Sequence, residues 1–327
     1  MKGFLNNPDC LLSESMSGFA AAHADLISHE TDGNFIHRKS LTKGKVAVIS
    51  GGGSGHEPLH CGFVGTGMLD AACPGHMFTS PTPDQIAKAA FATNSGAGCI
   101  FIVKNYAGDV MNFDMAADLV QGDARQIIVT DDLATGNNED TRRGIAGTLV
   151  VQKIVGAAAE HGMPLDQVFA LGSAVNRSTR SIGVALNGSY NPITKRQSFP
   201  LGTREIEFGV GIHGEAGTTR INMKSANEIV EDMCERILGD LESDLKRPSL
   251  LFINGLGATP LGELYMVYHA ARRIFEKAGV TIVRSLVGSY VTSLNMTGCS
   301  ITLTSMSDDM LALWNAPVIT PSLRWGA

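Results

Sequence analysis

The chain has 327 residues, 44% hydrophobic and 18% charged, with a formal net charge of −6 from 26 basic and 32 acidic side chains. That composition excludes a disordered chain, supplies core for about two domains, and offers no basic cluster to a nucleic acid. No stretch reaches the roughly 20 apolar residues of a membrane span, and MKGFLNNPDC lacks a signal-peptide pattern.

In chain order, residues 11–29 read as an amphipathic helical segment followed by a connector. Residues 46–50 (VAVIS), 99–103 (CIFIV) and 127–130 (IIVT) are short apolar, β-branched runs. Such runs suit strands covered on both faces of an α/β sheet. Thr82-Pro83-Asp84-Gln85 predicts a helix start, with a threonine N-cap, proline in the first turn and glutamine at the capping-box position. Residues 147–161 are apolar at helical spacing and stop before Gly162. Residues 176–181 (NRSTRS), polar and aperiodic, are the expected linker. Strands are then expected at 182–186, 205–210 and 250–254, and helices at 226–238 and 261–278. Strands at 280–287 and 300–304 are expected to close the sheet. The pattern predicts two α/β domains, each with a central mixed sheet flanked by helices. Residues 1–180 carry His56 and Asp109, and residues 181–327 carry His213.

The six cysteines, at 10, 61, 73, 99, 234 and 299, are scattered singly. This fits reduced thiols in the cytoplasm better than disulfides or structural zinc.

Three strand ends carry glycine-rich, polar chemistry, the place where α/β sheets bind ligands. They are GGGSGHEP at 51–58, KNYAGD at 104–109, and FGVGIHGEAG at 208–217, where His213 sits among glycines. Two familiar patterns mislead here. The first loop lacks the Lys-Ser/Thr of a phosphate loop, and its His56-Glu57-Pro58-Leu59-His60 mimics a zinc-protease motif. That motif needs a continuous helix, which Pro58 obstructs, so no metal site is expected. Gly209-x-Gly211-x-x-Gly214 mimics a dinucleotide fingerprint, but 215–220 (EAGTTR) is a poor helix start. His56, Lys104, Asp109 and His213 remain. Each also has a plain structural reading: a surface histidine, a solvated strand end, a helix cap. The other histidines, His60 among them, read as structural or surface residues.

At this point six motifs occur in one order: GGGSGHEPLHCGFVGTGMLDAACPG, FTSPTPDQI, KNYAGDVMNF, TRRGIAGT, FGVGIHGEAG and NGLGATPLGELY. Together they resemble the substrate-binding subunit of the dihydroxyacetone kinase family, over about 11–325. Segments 188–198 and 240–246 are the least family-like. The resemblance implies that His213 captures a ketone as a covalent hemiaminal and that Asp109 is the base for the terminal hydroxyl. It implies that His56 assists as proton acceptor, and that Lys104, Gly53, Ser54 and Gly55 hold the substrate hydroxyls. It implies no cofactor on this chain, with Mg-ADP or Mg-ATP on a helical nucleotide-binding partner subunit, for which a chain ending at Ala327 leaves no room. A phosphotransferase-system donor or ATP as phosphoryl source, and a homodimer, are further implications. Two alternatives stay open: a non-catalytic ketone-sensing coactivator, or a kinase subunit for another short ketose such as a tetrulose.

Overall fold

The computed structural model describes residues 4–120, 124–136, 138–241 and 247–326. The expected 240–246 segment therefore lies mostly outside the described residues. The chain divides into two compact units, 1–129 with 148–174 and 310–327, and 130–147 with 175–309. Two α/β units are present, but the single division expected at residue 180 is not. Each unit takes pieces from both sides of that point.

In the first unit, α1 (Leu11–Ala22) is followed by the antiparallel pair β1 (Ile27–Glu30) and β2 (Phe35–Arg38). The helix expected over 11–29 therefore stops early, and its last residues are a strand. Next come β3 (Ala47–Ser54), β4 (Ala71–Met77), α2 (Pro83–Thr93), β5 (Cys99–Lys104), α3 (Ala107–Leu119) and β6 (Ala124–Val129). The sheet order is β1-β2-β4-β3-β5-β6, parallel from β4 to β6 and antiparallel at the β1–β2 edge. Ile49, Phe101 and Val103 bury against Ile86, Ala89, Ala90 and Phe113 of α2 and α3. Thr82 caps α2 as expected, accepting from the Gln85 N–H. The Gln85 side chain instead bonds the Pro74 carbonyl, 2.8 Å away, so the capping box is not closed.

The helices α4 (Gly147–Glu160) and α5 (Leu165–Arg177) come after β6. Gly156 of α4 packs on the backbone of Met68, and Gly172 of α5 on Ile127. Arg38 of β2 bonds Glu160 at 2.7 Å, and buried Lys153 donates to the Leu313 carbonyl at 2.8 Å. These contacts fix two late pieces of chain to the first unit.

The second unit contains β7 (Thr179–Asn187), a small hairpin of β8 (Tyr190–Asn191) and β9 (Arg196–Gln197), β10 (Glu205–Phe208), β11 (Thr219–Asn222), α6 (Ala226–Asp240), β12 (Pro248–Gly255), α7 (Leu261–Lys277), β13 (Thr281–Gly288) and β14 (Thr297–Ser305). Its main sheet runs β11-β10-β7-β14-β12-β13, antiparallel except for β12 beside β13. It is mixed, as expected, but β14 lies inside the sheet rather than closing it. Ile182, Val184, Leu251, Ile253, Ile301 and Leu303 face α6 and α7. The expected linker at 176–181 is no linker. It spans the end of α5 and the start of β7, with Thr179, Arg180 and Ser181 buried. Its hydroxyls bond β14: Thr179 to Thr304 at 3.0 Å, and Ser181 to Thr302 at 2.7 Å. Arg180 pairs with Asp240 and Glu139. The polarity that mimics a linker is internally satisfied.

Candidate active site

The first unit's sheet reverses its order at β3. The chain leaves β3 for β4 on one side and returns to β5 on the other, which opens a crevice beyond the carboxyl ends of β3 and β5. Pairing of β3 with β5 stops at Ser50 and Ile102, while pairing with β4 continues through the glycines. The expected loop 51–58 is thus half strand, and Gly51, Gly52 and Gly53 line the opened side.

Lys104, the last residue of β5, is wholly buried there. Its ammonium lies 3.3 Å from Asp109 Oδ2, 3.0 Å from His60 Nε2 and 3.4 Å from the Gly51 carbonyl. An ammonium has three donors, and these are three acceptors. The reading of Lys104 as a solvated strand end is therefore wrong. Glycine at 52 is what admits it, because a Cβ there would overlap Lys104 Nζ. Asp109 sits in the first turn of α3, where a carboxylate is favoured by the helix dipole. It does not cap the helix. Its side chain is buried, with Oδ1 accepting from Ser80 Oγ and Oδ2 facing Lys104. His60 is fixed from behind, its Nδ1 lying 3.0 Å from Ser50 Oγ and 2.8 Å from the Gln152 amide.

His56 is buried, with its ring centroid 5.3 Å from that of Phe78. Segment 56–60 forms turns leading into a short 3-10 helix, Cys61–Phe63, and not the helix that zinc would need. Among the described residues no three His, Cys, Asp or Glu side chains group as metal ligands. Ser54 Oγ donates to the Gly75 carbonyl at 2.7 Å, and the Gly55 N–H is bonded by the Glu57 carboxylate. The space beside Gly53 is filled by backbone of Phe78 and Thr79. A cavity of about 450 Å³ adjoins this end of the sheet, bounded by Gly52, Gly53, Ser54 and His60 on one side and by Met16 and Phe19 of α1 on the other.

In the second unit, His213 stands half-buried in the turn between β10 and β11. The chain beyond Gly214 runs into strand β11 and opens no helix, so the fingerprint is a coincidence of glycines. The His213 N–H donates to Glu215 Oε2 at 2.7 Å. The structure thus gathers Gly53, Ser54, Gly55, His56, Lys104 and Asp109 at one sheet end of the first unit, and puts His213 on the glycine-rich turn of the second. The sequence reading missed His60 and Ser80 against Lys104 and Asp109. Both lie within motifs of the sequence, His60 in GGGSGHEPLHC and Ser80 in FTSPTPDQI, and nothing else there singles them out.

Together these features define an α/β protein with a strand-end site built round a buried lysine–carboxylate pair. Residues 17–322 match the Dak1 domain family. The chain is 42% identical, over all of both chains, to the Escherichia coli PEP-dependent dihydroxyacetone kinase, dihydroxyacetone-binding subunit. It is 37% identical to a D-erythrulose kinase of Mycolicibacterium smegmatis, covering all of this chain and 57% of that one. The structure superposes on a dihydroxyacetone kinase operon co-activator with a TM-score of 0.89 and 32% identity, covering 93% and 96% of the two chains. The chain belongs to the dihydroxyacetone kinase family, whose named kinase members are phosphotransferases. Among the described residues no helix is long and apolar enough to cross a membrane.

Proposed function

We propose that this chain is the substrate-holding, catalytic subunit of a dihydroxyacetone-type kinase. The observation that carries the reading is the buried Asp109 carboxylate, held between Lys104 and Ser80 at the opened end of β3 and β5. A base so fixed suits a reaction in which positioning matters more than strength.

In this reading the unprotonated ring nitrogen of neutral His213 attacks the ketone carbon. The N–C bond forms as the carbonyl π bond opens, and the ring's N–H proton passes to the oxygen, giving a hemiaminal. An imidazole with an ordinary pKa near 6.5 is largely neutral at pH 7. Capture of this kind favours ketones over glycerol, which has no electrophilic carbon. Asp109 takes the proton of the terminal hydroxyl as that oxygen bonds to phosphorus, and His56 assists as a hydrogen-bond partner. Lys104 holds the Asp109 carboxylate, and the main chain at Gly53 and Ser54 receives the substrate hydroxyls. The phosphoryl group comes from Mg-nucleotide on a partner subunit. The word "subunit" in the name of the Escherichia coli relative, and the extra length of the erythrulose kinase, support such a partner. The "PEP-dependent" name supports recharging of that nucleotide by a phosphotransferase system. A cytoplasmic homodimer belongs to the same proposal.

A second reading keeps the chemistry and changes the ketose, favoured by the 37% identity to an erythrulose kinase. The Lys104–Asp109 pair supports the kinase reading over that of a ketone-sensing co-activator, to which the chain is also similar. The test is to supply the chain with nucleotide-binding partner subunits and a phosphoryl donor, and to present dihydroxyacetone, both erythruloses and glycerol. Phosphorylation of a ketose but not of glycerol is expected. Binding without turnover by every partner and ketose would make the chain a sensor instead.

A further inference from the structure

We infer that Arg143 and Glu215 are the positioning residues that hold His213 ready for the ketone. The inference rests on the role of His213 given above and assigns a task to TRRGIAGT, a motif left without one. All the residues concerned lie in the second unit.

The Arg143 guanidinium reaches three partners. Nε and Nη2 bond Asp132 Oδ2 at 2.8 and 2.7 Å. Nη2 also donates to the Gly209 carbonyl at 2.8 Å, and Nη1 donates to Glu215 Oε1 at 3.1 Å. The second Glu215 oxygen accepts the main-chain N–H of His213 at 2.7 Å. One planar cation therefore grips the turn at its start, Gly209, and, through Glu215, at the residue bearing the nucleophile. Gly211 completes the fit, since a Cβ there would overlap Glu215 Oε1 and crowd Arg143 Nη1.

The anchor is itself anchored. Asp132 is wholly buried and accepts from the Ala134 N–H at 3.0 Å. Its neighbour Asp131 accepts from the Ile145 and Gly147 N–H groups at 2.8 and 2.7 Å, which pins the stretch of chain just after Arg143. Adjacent Arg142 is turned away to Asp240 and the Gly136 carbonyl, so the two arginines do different work. A glycine-rich turn has many backbone conformations to lose, and a displacement of about 1 Å at a reacting atom lowers rates on the order of a hundredfold. Lysine cannot replace the fork, because a single ammonium has no planar set of donors to span a carboxylate, a carbonyl and a second carboxylate.

The experiment tracks carbonyl-labelled dihydroxyacetone by carbon NMR on the full chain, where capture converts the ketone signal to a tetrahedral one. Parent, His213→Ala, Arg143→Lys, Glu215→Ala and Glu215→Gln are compared, with thermal melting as a check on folding. Expected are a tetrahedral signal of protein linewidth, distinct from the sharp hydrate signal of free dihydroxyacetone, in the parent and none of that width in His213→Ala. Apparent affinity should be about tenfold to a hundredfold weaker in Arg143→Lys and Glu215→Ala. Glu215→Gln, which keeps an acceptor for the His213 N–H, should recover part of the loss. Parental affinity in folded Arg143→Lys and Glu215→Ala, with the signal still lost in His213→Ala, would overturn the inference and leave the function standing. Should Arg143→Lys not fold, the half-exposed Glu215 pair decides alone: equal affinities in the two Glu215 variants and the parent overturn the inference. A protein-bound tetrahedral signal surviving in His213→Ala overturns both.

Discussion

Lys104 shows what burial does to a residue whose type normally means solvent. Its ammonium is held by Asp109, His60 and a carbonyl, and those partners are in turn oriented by it. Breaking a buried ion pair from one side is strongly destabilising, because the remaining charge has neither water nor partner. Lys104→Met is therefore expected to lower unfolding free energy by about 3–5 kcal/mol and to abolish turnover. Urea titration that found the variant within about 1 kcal/mol of the parent would remove Lys104 from its role. Little of this was legible beforehand. A lysine after CIFIV reads as the exposed end of a strand. His60 was hidden by its false zinc motif, and Ser80 lies in a turn-forming stretch with no catalytic signature. His56, Asp109 and His213 stood out because each comes after a strand or a glycine run, but their assigned roles came from the resemblance and not from spacing.

Among the elements, β3 is the one whose sequence serves two purposes. VAVIS makes the buried strand, and the glycines continue it while leaving room for Lys104. Gly52→Ala is expected to displace the ammonium and to reduce turnover on the order of a hundredfold, with the circular dichroism spectrum unchanged; undiminished turnover would show that the space is not needed. Thr82→Ala should lower stability by about 1 kcal/mol through loss of the α2 cap, a change that thermal melting resolves. Apolar runs announced β3, β5 and β12 correctly, since strands buried on both faces leave that signature, and β6 as well, although it is a half-buried edge strand. They could not announce β4, whose AACPGHM contains proline and glycine, or the β1–β2 pair, whose ISHE and FIHR carry polar residues at a sheet edge. The start of β7 passed for a linker because its polar side chains are paired with β14 and Asp240 across more than 50 residues of sequence, and such pairing has no local trace.

At the scale of the molecule, two units built from interleaved pieces need long-range fasteners, and Arg38–Glu160 is one of them. Burial opposes ionisation of Glu160, but the hydrogen bond and charge of Arg38, with the charge of Lys45, hold its carboxyl below the ordinary value of 4.5. A carboxyl lowered in the folded state stabilises above its unfolded value and loses that contribution as pH falls through the folded one. The melting temperature of the parent should thus exceed that of Glu160→Gln above pH 4.5, with the gap closing as the solution is made more acidic. A gap independent of pH would assign the effect to packing. The alternation of strand and helix was enough to foresee two mixed α/β units, whereas their interleaving was not foreseeable, because an insertion held by buried ion pairs leaves the local pattern unbroken.

The proposed function requires this chain to place a ketose hydroxyl for phosphoryl transfer with Asp109 as its base. Initial rates of dihydroxyacetone phosphate formation, with partner subunit and phosphoryl donor in excess, test it most directly in the parent and in Asp109→Asn. Ketose-dependent turnover is expected in the parent, with a loss of about 10²- to 10⁴-fold in the variant. Equal rates in the two proteins would contradict it.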